Sequence, residues 1–584
     1  MKDLERYFSH KAIITLLCKY RIKSAKKKHK YHLLRDISLH KVSMHYFKTK
    51  HNCPSDLKEL FPSRRQWYRP NLKSRNKFAN TQDLNIAALY KTILTTHINV
   101  VNKKITPPEW YLKLNKFIYY VQERIKNPDN ESIKLPIIVP IKKDDNKHCT
   151  VCRPISLYNL EDRVIISLTS KYLTDIFDPY LHNCSYAFRS VKYDVIRTHH
   201  DTITEIINYK ERIKKGSVWV AECDLKKFFD CVNHELIINI FEKFVQKVEG
   251  ADLKVSKSAI RIFLQYLNSY TFNNSVFKLN KTPQYFLGYN IPNGQFEWPY
   301  DELRHNFYDG NVDTSNIGVP QGGALSCLIA NLILHDVDES VDSEPKDSDL
   351  LYIRFCDDMV IMHTEKMKCE EALKRYNKKI KSSRLLIHQP EDIVVYNKAF
   401  WKTKSKKPYK WTSRTNSGVP WVSFVGYQVR FDGNIRIRKK SLKKEVNKQK
   451  KEAQEVLKAL SHNVKTQKNI NESSRKSKKQ QVYALESRLI AMSVGRVKLY
   501  NYKSIKPGLC WTNGFKNLNY NIIVKSQLRY LDRQRTVSIN NFKRKLKYLT
   551  RATENPVIIN KTYFGNPFSY HNFSSNLPTQ TSIR

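Results

Sequence analysis

Two short apolar segments joined by a Cys-Asp-Asp turn constrain the fold of this chain more than any other feature. The segments are residues 350–355 and 359–362, and Asp357 and Asp358 stand between them. Apolar runs of this length around a tight turn predict a β-hairpin. An Asp-Asp pair fits the tip of any hairpin, so this feature alone predicts where two carboxylates lie and not what they do.

A third carboxylate follows another predicted strand. Residues 218–223 form a short β-rich run that ends on Asp224. An Asp in this position can simply cap the next helix. Acidic residues at a strand end and at a hairpin tip can also converge on one edge of a sheet. There they repel one another and take up protons unless cations neutralise them.

This convergence predicts a two-metal centre. Two Mg²⁺ ions roughly 4 Å apart are what phosphoryl transfer to a 3′-hydroxyl requires. We assign Asp224 and Asp357 as the bridging ligands, and Asp358 as a third carboxylate that completes one shell or only the local field. Leu225 is grouped with them at the metal site, and Mn²⁺ is the alternative ion.

A Gly-rich segment, residues 318–326, completes the pattern, although a Pro-Gln-Gly-Gly run can be an ordinary turn. In chain order, these segments resemble the polymerase motifs of bacterial group II intron-type reverse transcriptases, of the non-mobile defence-associated or abortive-infection kind. The resemblance spans about residues 137–430 and rests on six ordered motifs. They are Lys142-Lys143 with Arg153-Pro154-Ile155 and Asp162-Arg163, Ser185-Tyr-Ala-Phe-Arg189, Asp224-Leu-Lys-Lys-Phe-Phe-Asp230 with Asn233-His234, Gly318-Val-Pro-Gln-Gly-Gly323 with Leu325-Ser326 and Ala330-Asn331-Leu332, Phe355-Cys-Asp-Asp358, and Phe424-Val-Gly-Tyr427.

The resemblance implies an α+β fold, that of a right-hand polymerase with fingers, a palm built on an antiparallel sheet, a helical thumb and a basic N-terminal extension. Residues of about 250–316 show no clear hydrophobic period, and we interpret them as an insertion or binding loop within the palm. The expected division is 1–105 for the extension, 106–215 for the fingers, 216–430 for the palm, 431–550 for the thumb and C-terminal RNA-binding region, and 551–584 for a tail.

Further site residues follow from the resemblance. Phe229 matches the steric gate that excludes a 2′-hydroxyl, although it or Phe228 must belong to the core. Arg189 is expected at the template and primer, with a structural ion pair as the alternative. Nucleotide-binding residues are Lys142, Lys143, Arg153, Phe229 and Gln321, and template or primer residues are Arg189, Gly322, Gly323, Phe424, Gly426 and Tyr427.

The sequence also departs from the family pattern. Residues 390–393 read Pro-Glu-Asp-Ile where the family usually has Glu-Lys-Thr, so the expected general acid is missing. Lys398 or a residue of the fingers is the expected substitute. No HNH-like Cys/His cluster follows the thumb, so we expect no DNA-nicking module.

The charge and the cysteine content of the chain limit which partners, compartment and metal sites we expect. The net charge is +49, from 103 Lys plus Arg against 54 Asp plus Glu, which predicts a polyanionic partner. A basic cluster at residues 23–30 is either a phosphate-tracking arm or a solvated helix face. No apolar run or signal peptide indicates a membrane, so we expect a cytoplasmic protein. Cys149 and Cys152 have the spacing of half a zinc site, but two free thiols are the better interpretation because no further ligands lie nearby.

The predicted function is RNA-directed DNA polymerase activity, serving bacterial anti-phage defence and copying a dedicated structured non-coding RNA. The expected partners are that RNA template, a DNA product and dNTPs, with a homo-oligomer or a second defence protein as further candidates. Three alternatives stay open: a group II intron maturase, template-independent or protein-primed DNA synthesis, and a catalytically silent RNA-binding scaffold. An RNA-dependent RNA polymerase shares the palm, and Phe229 as a gate separates it from this chain.

Overall fold

A computed structural model of the chain describes most of the residues from 3 to 549. The described ranges are 3–37, 56–71, 81–145, 149–190, 197–213, 217–342, 347–392, 396–413, 418–461, 485–486, 489, 514–519 and 521–549. The predicted tail, 551–584, lies outside them, as do residues 462–484 of the predicted thumb. Within this part of the chain the fold mixes helices with three small sheets.

Ten strands form these sheets. A first sheet has the order β1-β2-β4, a central sheet β5-β6-β3-β7, and a third sheet β10-β9-β8. Every pairing is antiparallel except the one between β2 and β4. The strands are β1 Ile137–Asp145, β2 Thr150–Leu157, β3 Val218–Cys223, β4 Gly294–Phe296, β5 Leu351–Phe355, β6 Asp358–His363, β7 Lys406–Trp411, β8 Trp421–Phe424, β9 Tyr427–Arg430 and β10 Ile435–Ile437.

The central sheet forms because its inner strands are apolar and its edge strand tolerates a proline. β3 lies between β6 and β7, and Val218, Val220 and Ala221 of this strand are fully buried. β7 contains Pro408, which cannot donate to a ladder and therefore suits an edge. The predicted hairpin is confirmed, with Phe355 paired to Asp358 across the turn.

The described helices flank these sheets. Three short 3₁₀ helices accompany them at Arg64–Gln66, Asp178–Tyr180 and Phe277–Lys281. The α-helices are α1 Leu4–Tyr7, α2 His10–Ile37, α3 Asp56–Glu59, α4 Thr81–Val101, α5 Glu109–Lys126, α6 Leu160–Phe177, α7 His199–Arg212, α8 Phe228–Cys231, α9 His234–Glu249, α10 Lys257–Asn268, α11 Phe272–Ser275, α12 Pro283–Gly288, α13 Tyr300–Phe307, α14 Leu325–Ile333, α15 His335–Val341, α16 Lys366–Ser382, α17 Lys439–Ser461 and α18 Ile522–Leu549.

Helix α14 is the most deeply buried of the helices near the catalytic turn. Its apolar residues are buried all around, as expected for a helix that crosses a core rather than lying on a surface. It contacts α6, α9 and α15. Helix α16 packs under β3, β6 and β7 through one face that includes Leu373 and Tyr376. These helices fix the sheet edge on which the acidic residues lie.

The region predicted as an irregular insertion contains regular structure. Residues 257–307 hold four α-helices, a 3₁₀ helix and strand β4, which extends the first sheet. Helix α10 buries Ala259, Ile262, Phe263 and Tyr266 on one face. The expectation of a segment without regular structure was wrong: three of the four α-helices have eight residues or fewer, too short for a period to be recognised, and the period of α10 was missed.

The C-terminal helices α17 and α18 pack against each other and against the third sheet. Leu442 and Val446 of α17 meet Val524, Leu528 and Leu531 of α18 in one apolar cluster. The basic cluster at residues 23–30 falls on α2, and its side chains from residue 26 onward lie outside the described part. No helix in the described ranges is long and apolar enough to cross a membrane.

Candidate active site

The sheet register brings the three predicted carboxylates together. β3 and β6 are antiparallel, and Cys223 is paired with Met359. Asp224 therefore continues β3 at the level of Asp358, the first residue of β6. Asp357 occupies the turn that precedes Asp358. The predicted convergence on one edge is what this register produces.

The carboxylates interact electrostatically. Burial and, to a smaller extent, the charges of Asp357 and Asp224 together raise the pKa of Asp358 to about 7. Burial also raises the pKa of Asp224; Lys404 opposes this shift, and Asp357 reinforces it. Asp358 keeps contact with solvent while protein atoms crowd its carboxyl group. A cation placed among these groups would remove the repulsion that now favours protonation.

These residues fit divalent cations by their chemistry. Carboxylate oxygens are the hard donors that Mg²⁺ prefers. The charge of Asp357 raises the pKa of Asp224, so these two carboxylates interact across the turn. Leu225 has an apolar side chain, which is buried, so its backbone carbonyl is the one oxygen that this residue could offer to a metal ion. Within the described ranges, no three His, Cys, Asp or Glu side chains are already grouped as a ready-made metal cage. Cys149 and Cys152 are free thiols.

A buried ion pair holds the catalytic turn. Arg354 and Asp338 are each about 1% exposed, and Arg354 Nη2 lies 2.6 Å from Asp338 Oδ2. Arg354 also donates from Nη1 to the carbonyl of Cys356, 3.1 Å away, and to Asn331 Oδ1. Cys356 has a φ of 61°. The guanidinium therefore ties the positive-φ residue of the turn to α14 and α15.

Asp224 has neighbours that were not predicted. Its backbone amide donates to the Ser405 hydroxyl, and its carbonyl accepts from the amide of His388. Lys404 Nζ and His388 Nε2 each lie 3.9 Å from Asp224 Oδ2. Lys404 also donates to His388 Nε2 over 2.8 Å, and burial together with this ammonium lowers the pKa of His388 to about 4. Lys404 thus places a cation beside a predicted metal ligand.

The Gly-rich turn is fastened to the segment that follows Asp224. Val319 N donates to Phe229 O and Gly318 N to Val232 O, each over 2.7 Å. The side chain of Gln321 donates to Asp230 Oδ1 at 2.7 Å. Burial raises the pKa of Asp230 to about 6, and the hydrogen bond from Gln321 opposes that shift. Gln321 is therefore held next to the strand that carries Asp224.

Two glycines in this turn are required for different reasons. Gly322 has a φ of 103°, a conformation that L side chains rarely adopt. A Cβ on Gly323 would lie 1.9 Å from the hydroxyl of Tyr266, which is fully buried. The turn backbone therefore needs glycine at both positions, independently of any contact with a template.

Phe229 lies at the surface of the site, whereas Phe228 is in the core. Phe228 is 3% exposed, and Phe229 is only partly buried, with the two ring centroids 5.1 Å apart. Of the two rings, Phe229 is therefore the one that a sugar could contact. Its role as a steric gate stays a prediction.

The basic residues of the first sheet face the same carboxylates. A β-bulge interrupts the β1–β2 register between Lys142 and Asp144. The charge of Lys143 favours the ionised form of both Asp224 and Asp230, and the charge of Arg153 favours the ionised form of Asp230. Lys142, Lys143 and Arg153 are all exposed. Of the two lysines, Lys143 is the one that these interactions place toward the site.

Arg189 has the surroundings of a structural residue. Its Nε lies 2.6 Å from Asp178 Oδ1, and its remaining nitrogens donate to the carbonyls of Asp178, His182 and Ser185. The side chain is 7% exposed. These contacts favour the structural ion pair over the template contact that the resemblance implies.

The predicted primer-grip hairpin is formed by β8 and β9. Phe424 and Tyr427 are buried, and the Tyr427 hydroxyl is 2.6 Å from His200 Nδ1. Gly426 has a φ of 93°, and its carbonyl accepts from Arg438 N. The side chains of Phe424 and Tyr427 support the turn from the core, which leaves the turn backbone as the part that could reach a primer.

Of the residues expected to substitute for the missing lysine, Lys143 of the predicted fingers acts on the charge of Asp224, and Lys404, which was not expected, also lies beside it. Lys398 is exposed, and no contact with Asp224 involves it, whereas Lys404 reaches that carboxylate. The side chain of Glu391 accepts a hydrogen bond from the hydroxyl of Thr403. The backbone of Glu391 forms an isolated β-bridge with Lys406 at the edge of the central sheet. Lys404 carried no sequence signal, because only the pairing of residues 385–388 with 224–226 and of β7 with β3 brings it to the site.

Comparison with known proteins supports the assignment of this region. The family model described as reverse transcriptase (RNA-dependent DNA polymerase) matches residues 141–391. The group II intron-encoded protein LtrA of Lactococcus lactis subsp. cremoris is 23% identical over 286 residues, which cover 48% of this chain and 36% of LtrA. The putative COX1/OXI3 intron 1 protein of Saccharomyces cerevisiae is 26% identical over 186 residues, or 32% of this chain and 16% of that protein.

Two solved telomerase structures show a weaker likeness. Telomerase from Candida albicans, in complex with a fragment of telomeric RNA, is similar over 91% of this chain and 81% of its own, with 12% identity and a TM-score of 0.33. Apo telomerase from Candida tropicalis has 10% identity and a TM-score of 0.33 over 54% of this chain and 59% of its own.

The matched region contains the predicted site. Residues 141–391 include Asp224, Asp357 and Asp358 together with the Gly-rich turn, and they leave out the third sheet and the C-terminal helices. The match to LtrA covers about a third of that protein. Residues 141–391 of this chain form a reverse transcriptase domain.

Proposed function

We propose that the chain is an RNA-directed DNA polymerase that adds dNTPs to a 3′ end. The observation that carries the proposal is the convergence of Asp224 with Asp357 and Asp358 at one sheet edge, where burial, together with the charges of Asp357 and Asp224, raises the pKa of Asp358 to about 7. Such a cluster is destabilising unless cations neutralise it. The site lies within the residues that match the reverse transcriptase family model.

The chain's own residues supply binding and orientation. Asp224, Asp357 and Asp358, with the carbonyl of Leu225, would hold two Mg²⁺ ions, or Mn²⁺. Bound there, the ions would activate the 3′-hydroxyl and stabilise the leaving pyrophosphate. Lys143 and Arg153 would neutralise the triphosphate, since both already act on the acidic residues of this site.

Selectivity would come from the groups packed around the Gly-rich turn. Gln321, held by Asp230, would position template and incoming nucleotide. The partly buried ring of Phe229 would lie beneath the sugar and clash with a 2′-hydroxyl. This choice of deoxynucleotides separates the proposed enzyme from an RNA-dependent RNA polymerase.

The finer proposal is a cytoplasmic role in bacterial anti-phage defence with a dedicated structured RNA, in a homo-oligomer or with a second defence protein. It rests on the resemblance of the motifs. The second candidate is a group II intron maturase, and what favours it is that LtrA and the yeast protein, both matched here, are named as intron-encoded proteins. A group II ribozyme sequence flanking the coding region would decide for the maturase.

The test is nucleotide incorporation by the purified chain with its co-purifying RNA, supplied with dNTPs or rNTPs and Mg²⁺. We expect dNTP incorporation that disappears in the Asp357→Ala/Asp358→Ala variant and in a sample treated with RNase. Incorporation that survives RNase would instead indicate template-independent or protein-primed synthesis. Binding of RNA without incorporation of either nucleotide type, under every primer condition, would favour the silent scaffold and contradict the proposal.

A further inference from the structure

A basic pocket lies where the third sheet meets the two C-terminal helices, outside the residues that match the family model. It encloses about 580 Å³ between β9, β10, α17 and α18. Its walls include the aromatic side chains of Trp401 and Tyr530. The lining contains four cationic residues and no acidic one: Arg436, Lys439, Lys443 and Arg533.

The lining residues of this pocket recur at helical spacing along α17 and α18. Lys439 and Lys443 are four residues apart on α17, and Ser526, Tyr530 and Arg533 follow one face of α18. Gln527 fixes α18 to the edge strand β10, because its side chain both accepts from Ile437 N and donates to Ile437 O. Helix α18 is therefore attached to the sheet by a contact that does not use the four cations.

Arg436 is the most constrained of these cations. Its Nε donates to Gln428 Oε1 over 2.8 Å, and its guanidinium lies 3.7 Å from the ring centroid of Trp421. Burial lowers its pKa, the hydrogen-bonded Tyr396 opposes this shift, and the charge of Arg430 adds to it; none of these groups is a carboxylate. In the described part of the chain, none of the four pocket cations forms an ion pair with an Asp or Glu.

Positive charge without acidic partners, beside exposed aromatic rings, is the chemistry that binds a single nucleic-acid strand. Cations attract the phosphates, and a base can stack on an aromatic ring whatever its identity. Tyr530 is 38% exposed and Trp401 is partly buried against the core, so both rings present a surface to the pocket. A protein partner of opposite charge would use the cations but would leave the stacking surface without a function.

The start of α17 connects this pocket with the catalytic edge. The charge of Arg438, the residue before α17, opposes the rise in the pKa of Asp358, and the charge of Lys440, on α17, opposes that of Asp224. Lys439 and Lys443 line the pocket instead. The start of α17 therefore presents positive charge both to the carboxylates and to the pocket.

We propose that this pocket is a binding site for a single-stranded segment of RNA or DNA, which holds one nucleotide by its phosphate and its base outside the catalytic centre. Arg436, Lys439, Lys443 and Arg533 bind the phosphates, and Tyr530 or Trp401 stacks on the base. The site goes beyond the proposed polymerase activity, because it needs neither the carboxylates nor a paired primer.

The test compares two charge reversals on the same helices. Lys443→Glu/Arg533→Glu alters the pocket, and Lys444→Glu/Arg529→Glu is the matched control, since these two residues are exposed and do not line the pocket. Fluorescence anisotropy of a labelled 12-nucleotide oligo(dU) or oligo(U), titrated with salt, measures the affinity. We expect the pocket variant to lose about tenfold or more in affinity and about 1.4 units of salt slope, and the control to lose clearly less. Equal losses in both variants would overturn the proposal.

Stacking has its own readout. Tyr530→Phe should keep most of the affinity and Tyr530→Ala should lower it severalfold. Photocrosslinking of a 4-thiouridine oligonucleotide, mapped by mass spectrometry, should give adducts at Tyr530 or Trp401. Adducts confined to residues outside the pocket would contradict the assignment. Competition with dTTP separates a strand from a free nucleotide: a pocket that binds dTTP as tightly as the oligonucleotide would overturn it.

The same measurements in the Asp357→Ala/Asp358→Ala background keep this inference separate from the polymerase proposal. Strand binding that depends on the pocket should persist there. If the wild-type chain incorporates nucleotides while strand binding ignores the pocket, only the pocket proposal fails. If incorporation fails while pocket-dependent binding holds, only the polymerase proposal fails.

Discussion

Lys404 is the residue whose position most changes the chemistry expected at the site. The sequence lacks the usual lysine after the catalytic hairpin, and the fold brings Lys404 Nζ to 3.9 Å from Asp224 Oδ2. His388 accepts a hydrogen bond from this ammonium, and burial together with the ammonium lowers the pKa of His388 to about 4. In the proposed reaction, a cation here would stabilise the negative charge that develops as pyrophosphate leaves.

Replacing Lys404 by alanine should therefore lower kcat for dNTP incorporation about 10- to 100-fold, with a smaller change in KM. Lys404→Arg should restore part of the rate if the charge alone matters, and little of it if the group also donates a proton. Single-turnover kinetics with each variant gives these values. Lys407→Ala is the control, because Lys407 is exposed on the neighbouring strand. An unchanged kcat in Lys404→Ala would remove this residue from the mechanism.

Cys356 carries the backbone strain of the catalytic turn. Its φ of 61° places it in the left-handed region, where a β-branched side chain is disfavoured. Cys356→Ala should keep activity within about twofold, whereas Cys356→Val should cost about 1–2 kcal/mol of stability and lower incorporation. Urea unfolding and incorporation rates of the two variants provide the check. Equal behaviour of alanine and valine would show that the turn relaxes freely.

The buried ion pair between Arg354 and Asp338 is a contact between secondary-structure elements, because it joins the catalytic hairpin to α15. Asp338→Ala should destabilise the chain by about 3–5 kcal/mol, since it leaves the guanidinium buried without its partner. Glu370→Ala removes an exposed pair with Lys366 and should cost less than about 1 kcal/mol. The midpoints and slopes of denaturant unfolding measure both. A small effect of Asp338→Ala would mean that water or Asn331 replaces the carboxylate.

His200 links α7 to the third sheet through the Tyr427 hydroxyl. Burial lowers its pKa to about 4, with His199 and Lys516 adding to the shift and Asp201 opposing it. The unfolded chain, with an ordinary pKa near 6.5, then binds a proton that the folded chain rejects. This group therefore contributes stability at neutral pH that is lost as pH falls from about 6.5 toward 4.

The pH dependence of unfolding should be shallower in His200→Gln than in the wild type. One such group contributes at most about 1.4 kcal/mol per pH unit. Urea unfolding at pH 7.5, 6.0 and 5.0 for both proteins gives the difference, and the other titrating groups are common to the two. Parallel curves would mean that His200 titrates normally in the folded chain.

Local patterns predicted the elements that carry the acidic residues. Each of β3, β5 and β6 is a short apolar run bounded by polar residues, so its existence can be predicted without its partners. The inward-facing Arg354 was also a signal, since a charged residue inside such a run requires a buried partner. Lys404 and His388 gave none, because their places depend on pairings between segments far apart in the sequence.

The whole molecule is dominated by its charge. The net charge of the full chain is +49, and the described part includes the Lys-rich helix α17. Such a chain attracts any polyanion, so binding of nucleic acid on its own shows little about the site. The dependence of binding on salt is what separates counterion release from contacts to bases.

Affinity for a primer–template duplex should fall about 10³-fold or more between 50 and 200 mM salt, as expected for six or more phosphate contacts. The charges of the catalytic edge contribute little to this slope, so Asp357→Ala/Asp358→Ala should bind with the same slope while losing incorporation. Anisotropy titrations with the duplex measure the slope, and a peptide nucleic acid of the same sequence serves as the uncharged control. A flat salt dependence would mean that most of the positive charge faces away from the duplex, and the binding surface would then have to be sought in base contacts alone.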